Sequence, residues 1–79
     1  MPAKTNHPRE RFIDEDCYIE IEISEKAYGE IDGYNVYVVN INTEEIILDE
    51  WEPDFDWAWQ TAKYYSKKYD LEIIDKTPY

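Results

Sequence analysis

The 79-residue chain is poor in several residue types, and each shortage removes a class of protein. A single cysteine, Cys17, excludes an internal disulfide framework, and with one histidine, His7, it leaves too few ligands for a standard structural zinc site within one chain. Two glycines are too few for G-x-G-x-x-G, and Gly29 and Gly33, four residues apart with Ile31 midway and Tyr34 following, match neither the P-loop pattern G-x-x-x-x-G-K-[ST] nor G-x-S-x-G. No apolar run approaches the ~18 residues of a membrane-spanning helix, and the N-terminus lacks the apolar core of a signal peptide, so a cytoplasmic protein without membrane attachment is expected. Basic residues are also scarce: eight Lys and Arg stand against nineteen Asp and Glu, for a formal net charge of −11.

Aromatic residues, by contrast, make up 16% of the chain, too many for a disordered acidic tail, which is typically poor in them. The length fits one small domain. The acid is unevenly placed. Residues 10–56 hold sixteen Asp and Glu against only Arg11 and Lys26, whereas residues 57–79 carry four Lys against Asp70, Glu72 and Asp75. A field of this sign repels phosphates, which speaks against direct nucleic-acid binding and favours a basic protein surface as partner. The plainer reading is that negative charge keeps a small aromatic-rich domain soluble.

Residues 1–9 (MPAKTNHPR) show no apolar periodicity and read as a flexible leader before one domain over 10–79. In residues 10–16 (ERFIDED), Phe12 and Ile13 are candidate anchors onto a core edge. Residues 17–24 (CYIEIEIS) alternate strictly, with Cys17, Ile19, Ile21 and Ile23 on one face, and predict a half-buried strand. Asp32-Gly33 is a turn signal. Residues 34–41 (YNVYVVNI) are apolar on both faces and suit a central strand. Asn42-Thr43 then predicts a short hairpin connection into a third strand over 45–51 (EIILDEW).

Pro53 ends that strand, and Asp54 is placed to cap a helix over 55–69, with Asp56 favourable in its first turn. A 3.6-residue period sets Phe55, Ala58, Trp59, Ala62, Tyr65, Ser66 and Tyr69 on the core face, and Trp57 and Tyr64 away from it. Residues 71–75 (LEIID) predict a short final strand. The expected fold is therefore a small α+β domain of order β-β-β-α-β: an antiparallel meander, one helix, and a fourth strand parallel to the first. One helix covers one face of such a sheet and leaves the other open.

Catalysis finds little to work with. His7 lies in the leader, ten residues before Cys17, and Cys17 falls on an apolar strand face, where cysteine acts as a small buried hydrophobe. The densest acid groups, 14–16 and 49–56, lack the central glycine of a calcium loop. No enzyme, cofactor or dedicated metal site is expected.

The acid itself carries the functional reading. Glu20 and Glu22 project from one side of a strand about 6.6–6.8 Å apart, matching a two-phosphate advance of about 3.4 Å per step along DNA. Glu44, Glu45, Asp49, Glu50, Glu52, Asp54 and Asp56 extend an acidic tract into the helix start. Tyr18, Trp51 and Trp57 are aromatics amid these acids and candidate interface anchors. Together they predict a non-enzymatic inhibitor that occupies the basic groove of a nucleic-acid-binding protein by imitating DNA or RNA. In size, acidity and aromatic content the chain resembles small inhibitors encoded by phages and mobile elements, among them anti-restriction, anti-CRISPR and uracil-DNA glycosylase inhibitor proteins. The resemblance is one of composition and assigns no residue a role. The alternative is an acidic adaptor or subunit that associates with itself or a partner through an apolar, aromatic sheet face.

Overall fold

Alternation along the first strand decides which side of the sheet becomes the core. In the computed structural model, which describes residues 8–26 and 29–77, β1 (Cys17–Glu25) buries Cys17, Ile19 and Ile21 against the helix and turns Tyr18, Glu20 and Glu22 to the opposite side. β2 (Ile31–Asn40) pairs antiparallel with β1, matching Ile19 with Val38 and Ile21 with Val36. β3 (Ile46–Glu52) pairs antiparallel with β2. After α1 (Phe55–Tyr69), β4 (Ile73–Asp75) adds parallel to β1, giving the sheet order β3-β2-β1-β4. The expected β-β-β-α-β order, with its parallel fourth strand beside the first, is the observed fold.

The turn between β1 and β2 lies elsewhere than the Asp32-Gly33 signal suggests. Before β2 begins at Ile31, the Lys26 amide donates to the Glu30 carbonyl at 2.7 Å and the Gly29 amide to the Lys26 carbonyl at 3.0 Å, and Gly29 takes a φ of 82°. Gly33 sits inside β2, and its lack of a side chain serves space. A Cβ there would fall 2.6 Å from the Trp51 ring and 2.6 Å from the Glu52 carbonyl oxygen. At the other end of β2, the Asn40 side chain accepts from the amides of Asn42 and Thr43, at 2.9 and 3.0 Å, and so builds the expected hairpin turn.

Asp54 caps α1 by accepting from the Trp57 amide at 2.9 Å. The helix ends at Asp70, whose left-handed backbone (φ 57°) returns its amide to the Ser66 carbonyl. Its buried stripe is Ala58, Thr61, Ala62 and Tyr65. This is narrower than the expected face, and rotated from it. Thr61 lies within the stripe, whereas Trp59 is 38% exposed and stacks on Phe55. Trp57 and Tyr64, expected to point outward, are half-buried; Tyr64 meets the Tyr65 ring edge-on at 5.0 Å. With Thr61 inward, its hydroxyl reaches Glu52 on β3 at 2.6 Å, a buried polar contact that apolar periodicity does not register.

Residues 8–16 fasten across the fold. A 3-10 turn, Pro8–Phe12, buries Glu10, which accepts from Lys68 Nζ at 3.0 Å and from the Tyr69 hydroxyl at 2.7 Å. Both partners sit in the last turn of α1, so two hydrogen bonds tie the start of the domain to the helix end. Ile13 enters the core as expected, but Phe12 stays 47% exposed, with the Arg9 and Arg11 guanidinium groups over its ring. The leader reading of residues 1–9 falls, for 1–7, outside the described residues. Among the described residues no helix is long and apolar enough to cross a membrane.

Candidate functional site

The side of the sheet away from α1 is uncovered, and period two decides what stands on it. From β1 it receives Tyr18, Glu20 and Glu22, and from β2 their partners Val39, Tyr37 and Asn35. From β3 come Asp49, opposite Tyr37, and Trp51, opposite Asn35. Tyr18, Glu20, Glu22, Tyr37, Val39, Glu44, Ile46 and Lys76 line a shallow depression of about 420 Å³ on this face.

The depression is polar at its rim and partly sealed at its floor. Val39 and Glu20 are buried, although no second layer covers them, because the tyrosines and Lys76 close around them. Glu20 is paired with Lys76 Nζ at 3.1 Å, and this bond raises the lysine's pKa above its ordinary value. Burial raises the Tyr37 pKa, and the negative charges of Glu22, Asp49 and Glu20 raise it further. Its phenol therefore stays protonated through neutral pH and remains a donor. Glu22 is half-buried, while Glu44 and Asp49 are exposed. Glu44 holds a positive φ of 60° in the turn that brings it over the depression. Trp51 is 51% exposed, with its ring over Gly33.

The acidic tract expected as one surface is divided. Tyr18, Glu20, Glu22, Glu44, Asp49 and Trp51 share the open face. Glu50 and Glu52, one residue out of phase with Asp49, turn to the helix side. There Glu50 accepts from the Tyr65 hydroxyl at 3.0 Å, and buried Glu52 accepts from Thr61 Oγ1 at 2.6 Å. Burial, followed by the Glu50 bond, pushes the Tyr65 phenol far above the ordinary tyrosine range. Glu45 pairs with Arg9 at 3.2 Å, away from the depression. Asp54 is consumed as the helix cap, and Asp56 is exposed in the first turn of α1 beside half-buried Trp57.

Sequence reasoning missed Tyr37, Val39, Ile46 and Lys76 as members of this surface. For Tyr37 and Val39 the signal existed, since β2 is apolar on both faces and one of those faces has to be the open one. Cys17 is buried, and its thiol pKa is raised chiefly by burial. Among the described residues no three His, Cys, Asp or Glu side chains are grouped to hold a metal ion. The open face thus offers carboxylate acceptors, phenol donors and an exposed indole.

Comparisons with protein-family models, with curated proteins and with solved structures gave no match.

Proposed function

We propose that this chain is a binding protein whose open sheet face docks into the basic, nucleic-acid-binding groove of another protein and competes there with DNA or RNA. The observation that carries the reading is the composition of that face. Glu22, Glu44 and Asp49 stand around Tyr18, Tyr37 and Trp51, and Lys76, the one cation lining the depression among the described residues, is already engaged by Glu20. Carboxylates take the places of phosphates against the groove's arginines and lysines. Long-range attraction to a chain of net charge −11 speeds encounter. The aromatic rings, desolvated on contact, slow dissociation. An inhibitor of this kind fits the small phage- or mobile-element-encoded proteins that the composition resembles.

The test is affinity capture with the tagged chain, washed with rising salt. Recovery of a nucleic-acid-binding protein that elutes at moderate salt and then regains DNA binding supports the reading. Glu22→Gln with Asp49→Asn should weaken that complex about 10- to 100-fold without unfolding the chain. These positions are cleaner probes than Glu20, whose replacement also releases Lys76.

A second reading has its own observation. Ile46 (50%), Trp51 (51%) and Ile74 (36%) are exposed apolar side chains on or beside the same face. They support an adaptor that associates through apolar burial, and such a complex survives high salt. Recovery only of partners that resist the salt washes favours this reading over mimicry.

A further inference from the structure

One groove of this acidic chain has lysines as its only charged lining among the described residues. On the outer side of α1, Trp59, Gln60, Lys63, Tyr64 and Lys67 line a groove of about 360 Å³. The four-residue step sets Trp59, Lys63 and Lys67 in one ridge, with Gln60 and Tyr64 in the next. Lys63 and Lys67 are exposed, and Trp59 is 38% exposed even with Phe55 stacked against it. The third lysine of this stretch, Lys68, is bound to Glu10.

We infer that this groove receives the open sheet face of a second copy of the chain. The two surfaces complement each other in charge and in kind. The helix ridge presents two ammonium groups and an exposed indole, and the sheet face presents Glu22, Glu44 and Asp49 with exposed Trp51 and Ile46. Within one molecule the sheet itself stands between them, so neither can satisfy the other. Contact between unlike faces is heterologous and propagates head to tail instead of closing as a symmetric dimer. The repulsion between chains of net charge −11 keeps the association weak, so it forms at high concentration. Because it covers the sheet face, self-association and target binding exclude each other; that consequence rests on the function proposed above, while the association does not.

Sedimentation velocity on the purified chain alone tests it, apart from any target. From micromolar to millimolar concentration the average mass should rise continuously from the 9.6 kDa monomer. Two variants isolate the faces: Lys63→Glu with Lys67→Glu blocks the helix groove, and Glu22→Gln with Asp49→Asn blocks the sheet face. Each should stay monomeric alone, and their mixture should form a one-to-one complex, since each retains the face that the other has lost. Lys63→Gln with Lys67→Gln repeats the first variant if charge reversal disturbs the helix by circular dichroism. A wild-type chain that remains monomeric at millimolar concentration, a blocked variant that self-associates like wild type, or a mixture without the complex overturns the inference.

Discussion

Replacing Gly33 by alanine probes the contact that shapes the open face. The added methyl would meet the Trp51 indole and the Glu52 carbonyl oxygen, each at 2.6 Å, well inside van der Waals contact. The indole can swing outward, because Trp51 is half exposed, but the carbonyl belongs to the β2–β3 pairing and moves only with the strand. Overpacking of this kind costs about 1–3 kcal/mol. Alanine restricts the unfolded chain and returns about 0.4–1 kcal/mol. The net expectation is a loss of about 1–2 kcal/mol. With a urea slope near 1 kcal/mol/M for a domain this small, the unfolding midpoint should fall by about 1–2 M at unchanged slope. Tryptophan emission should shift to the red in the folded state as Trp51 is displaced. Adding Trp51→Ala should recover only part of the loss, because the carbonyl clash persists. A Gly33→Ala midpoint equal to or above wild type, with unaltered emission, would refute the reasoning.

Further outcomes follow from the hydrogen bonds and caps. Thr61→Val removes the hydroxyl donated to the buried Glu52 carboxylate and should cost about 1.5–3 kcal/mol in urea unfolding, with Thr61→Ser losing less. Asp70→Gly should raise stability by about 0.5–1 kcal/mol, since it relieves a left-handed backbone and removes a negative charge from the helix C-terminus, whereas Asp70→Val should lower it. Tyr37, Tyr65, Tyr69, Lys68 and Lys76 all have raised pKa values, so each holds its proton more tightly when folded. Their stabilisation is complete below the ordinary tyrosine and lysine values of about 10 and is lost as pH rises above them. Urea midpoints should therefore stay level, as far as these groups are concerned, up to about pH 9 and fall above about pH 10, less steeply in Tyr65→Phe; an equal slope in that variant contradicts the assignment.

The element order and the helix bounds were legible because both rest on periodicity. Cys17 to Ile23 alternate without interruption, and the stretch from Phe55 to Tyr69 keeps a 3.6-residue period behind Pro53 and the Asp54 cap. Asp32-Gly33 misled because a turn signal is local. The two residues lie in a strand because Trp51, far along the chain, needs the room that Gly33 leaves. The acidic tract misled for the opposite reason: its run from Asp49 to Asp56 looks continuous, yet the alternation that separates Cys17 from Tyr18 also separates Asp49 from Glu50. Applied to β3, that rule would have divided the tract in advance. The pairings of Glu50 with Tyr65, Glu52 with Thr61 and Glu10 with Lys68 and Tyr69 were not legible, since each joins elements whose relative rotation only packing decides. Lys76 lies just beyond the last strand, and its seat on Glu20 depends on β4 lying beside β1.

The central claim is that the open sheet face and a nucleic acid compete for one basic groove. Its most direct measurement is a competition titration on the captured target, with a labelled duplex bound and the chain added at several salt concentrations. The account predicts stoichiometric displacement of the duplex, weakening as salt rises, and about 10- to 100-fold weaker displacement by the chain carrying Glu22→Gln and Asp49→Asn. A ternary complex in which target, duplex and chain remain bound together, or displacement indifferent to those two substitutions, would contradict it.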